Sequence, residues 1–240
     1  GPLVENAFAS RAGVGGVAAL AYSRKIAETL TTILPYTLGL VLLPFSAEMA
    51  ARQDSQGLAR TLSISLRSLI LLFLPVTVGL MVLREPFVRL LLERGAFTAA
   101  STELTAAPLF YYALALVPFS LEVVVIQFFF ARQDTLTPVL TDVAAFALNV
   151  VLIPLLLTAI GLGGVALAAA LAKAAKVLVL LVLFGRCVPA FRLTDLVPFA
   201  ARMLLAAVAA AAVLGLWTLI AGPVADDGGI LVLAAYLSIG

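Results

Sequence analysis

Two cations and an acid stand at membrane depth near the start of the chain. Tyr22, Ser23, Arg24, Lys25, Glu28 and Thr29 lie inside a run of roughly thirty residues that is apolar on both sides. Ionised groups at such depth cost several kcal/mol unless they face water, a partner or a ligand. Tyr22, Lys25, Thr29, Thr32 and Tyr36 follow helical spacing of three and four, so they form one polar stripe, suited to the wall of a water-filled cavity. Arg24 and Glu28 stand four apart and can pair; Lys25 and Glu28 stand three apart and can do the same. The chemistry this suits is recognition of an anion, phosphate above all, with lysine acting as a point charge. The plainer reading is a self-neutralised cluster near an interface.

Other charges are sparser. Lys173 and Lys176 share a helical face, and snorkelling to the interface is their simplest account. Glu122 and Asp142 fall inside apolar runs, where either could pair with a lysine or couple to an ion. Asn149 is mid-run and is expected to hydrogen-bond a neighbouring helix. No enzyme constellation is present: there is no Walker loop, no nucleophile elbow and no CxxC. With no histidine and a single cysteine, Cys187, neither a disulfide within the chain nor a His-based metal site is available. No cofactor is expected.

The elements that must position these residues are long apolar segments. Hydrophobic residues make up 63% of the 240 residues and charged ones 12%, with a mean hydropathy of +1.17. A soluble fold of this size could not hide so much apolar surface, so the class is an all-α, polytopic transmembrane helix bundle. The runs are too continuous for the alternating strands of a membrane barrel. Full spans are expected at about 14–45, 68–83, 106–130, 138–160, 161–184 and 197–221, with partial helices at 3–10 and 229–240. Pro75, Pro118 and Pro154 fall inside spans and are expected to kink them. Gly161, Gly163 and Gly164 read as a turn between spans, and the alanines that follow allow close helix approach.

The net charge of +2 is small and dispersed, which argues against a nucleic-acid partner. Arg52, Arg60, Arg67, Arg132, Lys173, Lys176, Arg186, Arg192 and Arg202 fall on one side, against Arg11, Arg84, Arg89 and Arg94 on the other. That excess assigns the 47–67 segment and the 185–196 loop to the cytoplasm. The first residue is not Met and the last apolar stretch, 229–240, is too short to span. The expectation is therefore a piece of a longer transporter.

Four segments together resemble the MurJ/MviN family of lipid II flippases, relatives of the MATE exporters. Ala131-Arg132-Gln133-Asp134-Thr135-Leu136-Thr137-Pro138-Val139 is similar to the family's Q/G-D-T-x-T-P-V loop. Glu93-Arg94-Gly95-Ala96-Phe97-Thr98 resembles its E-R-G-x-F-T segment, Leu42-Leu43-Pro44 the end of a family helix, and Ala147-Leu148-Asn149-Val150-Val151-Leu152 an A-L-N-x-V-L stretch. The resemblance covers most of the chain and places it as the C-terminal half, one lobe of a two-lobed bundle with a central cationic cavity.

The resemblance implies a transporter rather than an enzyme, working in cell wall biogenesis. It implies flipping of lipid II, the undecaprenyl-diphosphate-linked muropeptide, across the bacterial inner membrane by alternating access, with membrane lipid and the chain's own N-terminal lobe as the other partners. The family carries a Y-x-D-R-like motif here whose Arg faces the cavity; this sequence has Lys25 at that position, and Arg24 where the acid stands. The substrate-binding set is thus Lys25, Arg24, Tyr22, Glu28 and Thr29. Some relatives hold sodium in this lobe. Glu5 and Asn149 match two of those positions, a possible ion or polar site, while Ile153 and Ala169 match the others and offer no side-chain oxygen, so a sodium site of that design is not expected. The alternatives are an exporter of another polyprenyl-linked glycan or of a MATE-like substrate, and a non-transporting membrane scaffold.

Overall fold

The structure, a computed structural model, describes Glu5, Ala7, Phe8 and residues 15–93 and 97–221. Among these residues there are helices and no strand. In lipid each backbone N–H and C=O must be met within its own segment, and a continuous apolar run meets that demand only as a helix. The helices are α1 (Gly16–Ala51), α2 (Ser55–Val82), α3 (Arg84–Leu92), α4 (Ala99–Ala113), α5 (Leu116–Ala131), α6 (Leu136–Ile160), α7 (Leu162–Cys187) and α8 (Val197–Ala221), with a 3-10 turn, Leu193–Asp195, before the last. Among the described residues five segments are long and apolar enough to cross a bilayer, and six with the bent pair α4–α5.

Three spans differ from the hydropathy reading. The first runs on past Phe45 to Ala51, through Pro35 and Pro44. The second begins at Ser55, not near Ser68, because the Asp54 carboxylate accepts from the Gly57 N–H at 2.8 Å and caps the helix. Arg60 and Arg67 lower the local hydropathy but sit on its exposed face. The third is two helices bent by 45°. At the break the Ala115 N–H turns to Tyr112 O, and Pro118, in the first turn of α5, has no N–H to offer Leu114. The apolar stretch at 229–240 lies outside the described residues.

Of the glycines at 161–164, only Gly161 lies between helices, with φ +69. Gly163 and Gly164 are in the first turn of α7. A Cβ on Gly164 would stand 2.1 Å from Leu156 O, and one on Gly163 2.5 Å from the Tyr111 ring. Bare backbone therefore lets α7 fold back against α6 and α4.

Helix α5 is the central member, with α1, α2 and α7 packed around it. Leu116, Val124, Val125 and Phe128 on it have no solvent exposure. Phe128, Phe129, Phe184 and Phe191 meet edge to face, with ring centroids 5.5 to 6.1 Å apart. In lipid such fits hold helices together by van der Waals packing, since the tails outside are equally apolar. The stripe-bearing α1 is fixed on its inner side: the Ser23 hydroxyl faces Ala19 O and Thr105 O of α4, both at 2.7 Å. Further along, Gly39 admits the Gln127 side chain of α5.

Candidate functional site

The cluster predicted from 21–29 divides in two. Arg24 turns inward. Its Nη1 is 3.4 Å from Glu5 Oε2 and its Nε 3.6 Å from Glu28 Oε1. Glu5 is 5% exposed and also accepts from the Tyr112 hydroxyl at 2.8 Å and from Asn149 Nδ2 at 3.4 Å. Four side chains thus converge: a buried carboxylate, a guanidinium, a phenol and an amide. Asn149 lies near the middle of α6, so this knot sits well inside the span.

Lys25 faces the other way. It is exposed, and among the described residues it makes no ion pair or hydrogen bond through its ammonium. The i, i+3 partner suggested by sequence, Glu28, is 3.6 Å from Arg24 instead. Tyr22 and Tyr36, on the same helical face as Lys25, are 45% and 53% exposed, and Thr29 and Thr32 are exposed too. The two threonine hydroxyls donate back to Lys25 O at 2.8 Å and Glu28 O at 2.6 Å, satisfied within the helix while staying on the open face. Tyr22 meets Phe97 edge to face at 5.9 Å. Arg94, Gly95 and Ala96, from the matching E-R-G-x-F-T segment, lie outside the described residues.

This arrangement can hold an anion against α1 with one free cation, while the second cation is spent internally. As an ion site, Glu5 and Asn149 do come together, and Asn149 Oδ1 is buried with no hydrogen-bond donor. Yet Ile153 and Ala169 bring no oxygen, and Arg24 already neutralises the carboxylate. The residues present do not fit a sodium ion of the expected design.

A family profile described as "Lipid II flippase MurJ" matches residues 1–225. The chain belongs to the MurJ family. Relatives include the probable lipid II flippase MurJ of Bdellovibrio bacteriovorus, 27% identical over 85% of this chain and 39% of that protein. That of Rhizobium meliloti is 33% identical over 69% of this chain and 31% of that protein. A solved lipid II flippase MurJ in an inward closed conformation superposes with a TM-score of 0.75 at 24% identity, over 98% of this chain and 49% of that one. A MOP superfamily transporter from Pyrococcus furiosus, described by the reverse polarity of its binding pocket, gives 0.61 at 17% identity over 55% of its length. Both share the fold. The chain spans about two fifths or less of the curated relatives' length and about half of each solved structure. As a MurJ-family protein with these helices it is a multi-pass membrane protein.

A second charged cluster in this MurJ-family bundle corrects the snorkelling expectation. Lys176 is 2% exposed and pairs with Glu122 at 2.5 Å and with Asp142. Lys173 binds Glu122 at 2.7 Å and lies 4.9 Å from the centroid of the Phe119 ring. Buried Lys is rare unless paired, and here two acids meet two lysines across α5, α6 and α7. Sequence reading allowed Glu122 or Asp142 either a lysine partner or an ion, and could not choose, because the partners lie on different helices. It missed Tyr112 outright. A tyrosine inside an otherwise apolar run was the available signal, since a buried phenol needs a hydrogen-bond partner.

Proposed function

We propose that this chain forms one half of a transporter that flips lipid II across the bacterial inner membrane by alternating access, with Lys25 as the diphosphate contact of this half. The observation that carries the reading is the division of labour on α1. Arg24 is held by Glu5 and Glu28, while the adjacent Lys25 is, among the described residues, unpaired on an exposed polar stripe. A charge in that position needs water or an anionic ligand. Alternating access requires two bundles rocking about a shared site, and the exposed stripe is the surface this half would offer to it. The fold is shared with a transporter of another description, so the cargo rests on this cation: a diphosphate demands positive charge, and a cationic drug would demand acid. Tyr22 and Thr29 flank the contact, and Glu28 acts by keeping Arg24 occupied.

The test is complementation of a flippase-depleted bacterium by the protein at its full native length. Lys25→Ala is expected to abolish rescue with expression unchanged, and Lys25→Arg to retain it. Arg24→Ala should do milder damage, by releasing Glu28 toward Lys25. Normal rescue by Lys25→Ala alongside a dead Arg24→Ala would make Arg24 the contact and overturn the assignment.

A further inference from the structure

Far from Lys25, two corners of the bundle repeat each other. Ala51-Arg52-Gln53-Asp54-Ser55 joins α1 to α2, and Ala131-Arg132-Gln133-Asp134-Thr135 joins α5 to α6. The likeness extends to the backbone. Gln53 and Gln133 both take left-handed conformations, φ 57 and 62. Each corner closes with the same bonds: Gln53 N to Ala50 O and Asp54 N to Met49 O, Gln133 N to Phe130 O and Asp134 N to Phe129 O, all within 2.9–3.1 Å. This is the pattern by which a helix end satisfies its last carbonyls. Each corner's acid then turns away to begin the next helix. Asp54 accepts from the Gly57 N–H, and Asp134 from the Thr137 N–H at 3.0 Å and hydroxyl at 2.7 Å.

The twin corners face each other across a cavity of about 660 Å³, closed on a third side by the end of α7. Gln53, Ser55, Arg132 and Gln133 line it, with Leu58 and Val188 as apolar wall, and no carboxylate contributes to the lining. Arg132 makes no side-chain hydrogen bond or ion pair among the described residues, and its Nη1 is shielded from solvent without a partner. An unpartnered guanidinium nitrogen out of water forfeits more than an ordinary hydrogen bond returns. Arg52, its counterpart in the first corner, lies outside the cavity and pairs with Glu48 at 2.6 Å. The cavity therefore holds one cation with no hydrogen-bonded or ion-paired partner among the described residues and three neutral side chains able to donate; Asp134, whose charge Arg132 feels at a distance, and Asp54 are both bound at helix starts.

We propose that this cavity binds a phosphate group, with Arg132 as its cation and Gln53, Ser55 and Gln133 as the flanking donors. Guanidinium suits the choice because its planar fork matches phosphate oxygens. The group belongs either to the head of an anionic phospholipid or to a free phosphate, since the cavity opens at the end of the bundle. The site is roughly 40 Å along α1 from Lys25, so it is separate from cargo recognition.

The experiment measures binding to the purified full-length protein in a neutral detergent. The probes are dioleoylphosphatidylglycerol, inorganic phosphate and, as the neutral-head control, dioleoylphosphatidylcholine. The expected result is saturable binding of phosphatidylglycerol or phosphate over phosphatidylcholine, weakened at least ~10-fold by Arg132→Gln, the loss of one charged hydrogen-bonding group. Ser55→Glu places an acid in the lining at a helix start that tolerates one, so it keeps the fold and should weaken binding similarly. Arg52→Gln removes the same charge outside the cavity and should change binding less than about twofold, as a single exposed surface charge does. Displacement of the lipid by inorganic phosphate assigns the site to the free ion; lipid binding that phosphate leaves untouched assigns it to a headgroup. Unchanged binding in both Arg132→Gln and Ser55→Glu, equal loss in Arg52→Gln, or no preference over phosphatidylcholine overturns the proposal.

Discussion

Replacing Glu122 by Gln should lower the stability of this bundle sharply. Both Lys173 and Lys176 bond the same carboxylate oxygen, at 2.9 and 2.5 Å. Their ammonium groups therefore stand no more than about 5.4 Å apart, and at that distance two like charges repel by roughly 3 kcal/mol at an effective dielectric constant of about 20. Glu122 cancels that repulsion. Asp142 alone cannot, because its side chain is 58% exposed and it reaches only Lys176. Breaking a buried pair while leaving a charge behind costs about 3–5 kcal/mol, or roughly 6–20 °C of thermal stability for a domain of this size. Lys176→Met should be much milder: Glu122 keeps Lys173, Asp142 turns to water, and methionine fills the volume. The decisive variant combines Glu122→Gln with Lys176→Met, which restores neutrality and should recover most of the loss. The assay is the fraction of full-length protein that stays monodisperse after heating in detergent. A Glu122→Gln protein within about 2 °C of wild type, or a double variant weaker than Glu122→Gln alone, would refute the reasoning.

Four further outcomes are expected. Gly164→Ala should lower thermal stability by about 1–3 kcal/mol through overpacking against the Leu156 carbonyl. Gly79→Ala, with open space around it, should be neutral or gain up to about 1 kcal/mol; the same heating assay reads both. Asp134→Ala should cost about 1 kcal/mol as a lost cap. The Thr137 hydroxyl and N–H hold the Asp134 carboxyl below its ordinary 3.8, so this stabilisation is complete above that value and is lost as the pH falls through the lowered one. The gap between wild type and Asp134→Ala in melting experiments should hold from neutral pH to about pH 5 and close in stronger acid. Finally, exposed Cys187 should resist a membrane-impermeant maleimide added to intact cells and react once the membrane is permeabilised. Labelling from outside would invert the topology read from the Lys/Arg excess.

How far the sequence reached depends on which interactions are local. The stripe from Tyr22 to Tyr36 was legible because one helical period orders it, and the exposed face confirms the period. Pairing of Arg24 with Glu28 was legible for the same reason. Its second partner, Glu5, was not, nor was the role of Tyr112: both depend on how separate helices pack. The break at Leu114–Ala115 left little trace, since both residues are apolar and only Pro118 hints at it. Arg60 and Arg67 hid the first turns of α2, because hydropathy counts charges without asking which way they point. Arg67 in fact donates to Asp195 O and stacks over Phe199, tying α2 to the turn before α8 and to the first turn of α8 itself. The twin corners were the reverse case, a local repeat visible in the letters at 51–55 and 131–135, whose meaning came only when the fold set them face to face.

Helix α1 is 36 residues long, about 54 Å, well beyond the roughly 30 Å of hydrocarbon it crosses. Its length gives it the shape of a lever, with Lys25 toward one end and the Gln53 corner at the other. A tilt of about 10° around the level of Lys25 would carry that corner sideways by roughly 7 Å, more than the thickness of a helical turn. Small rotations at the depth of the stripe are thereby magnified at the water's edge, and Pro35 and Pro44 mark where the lever can flex.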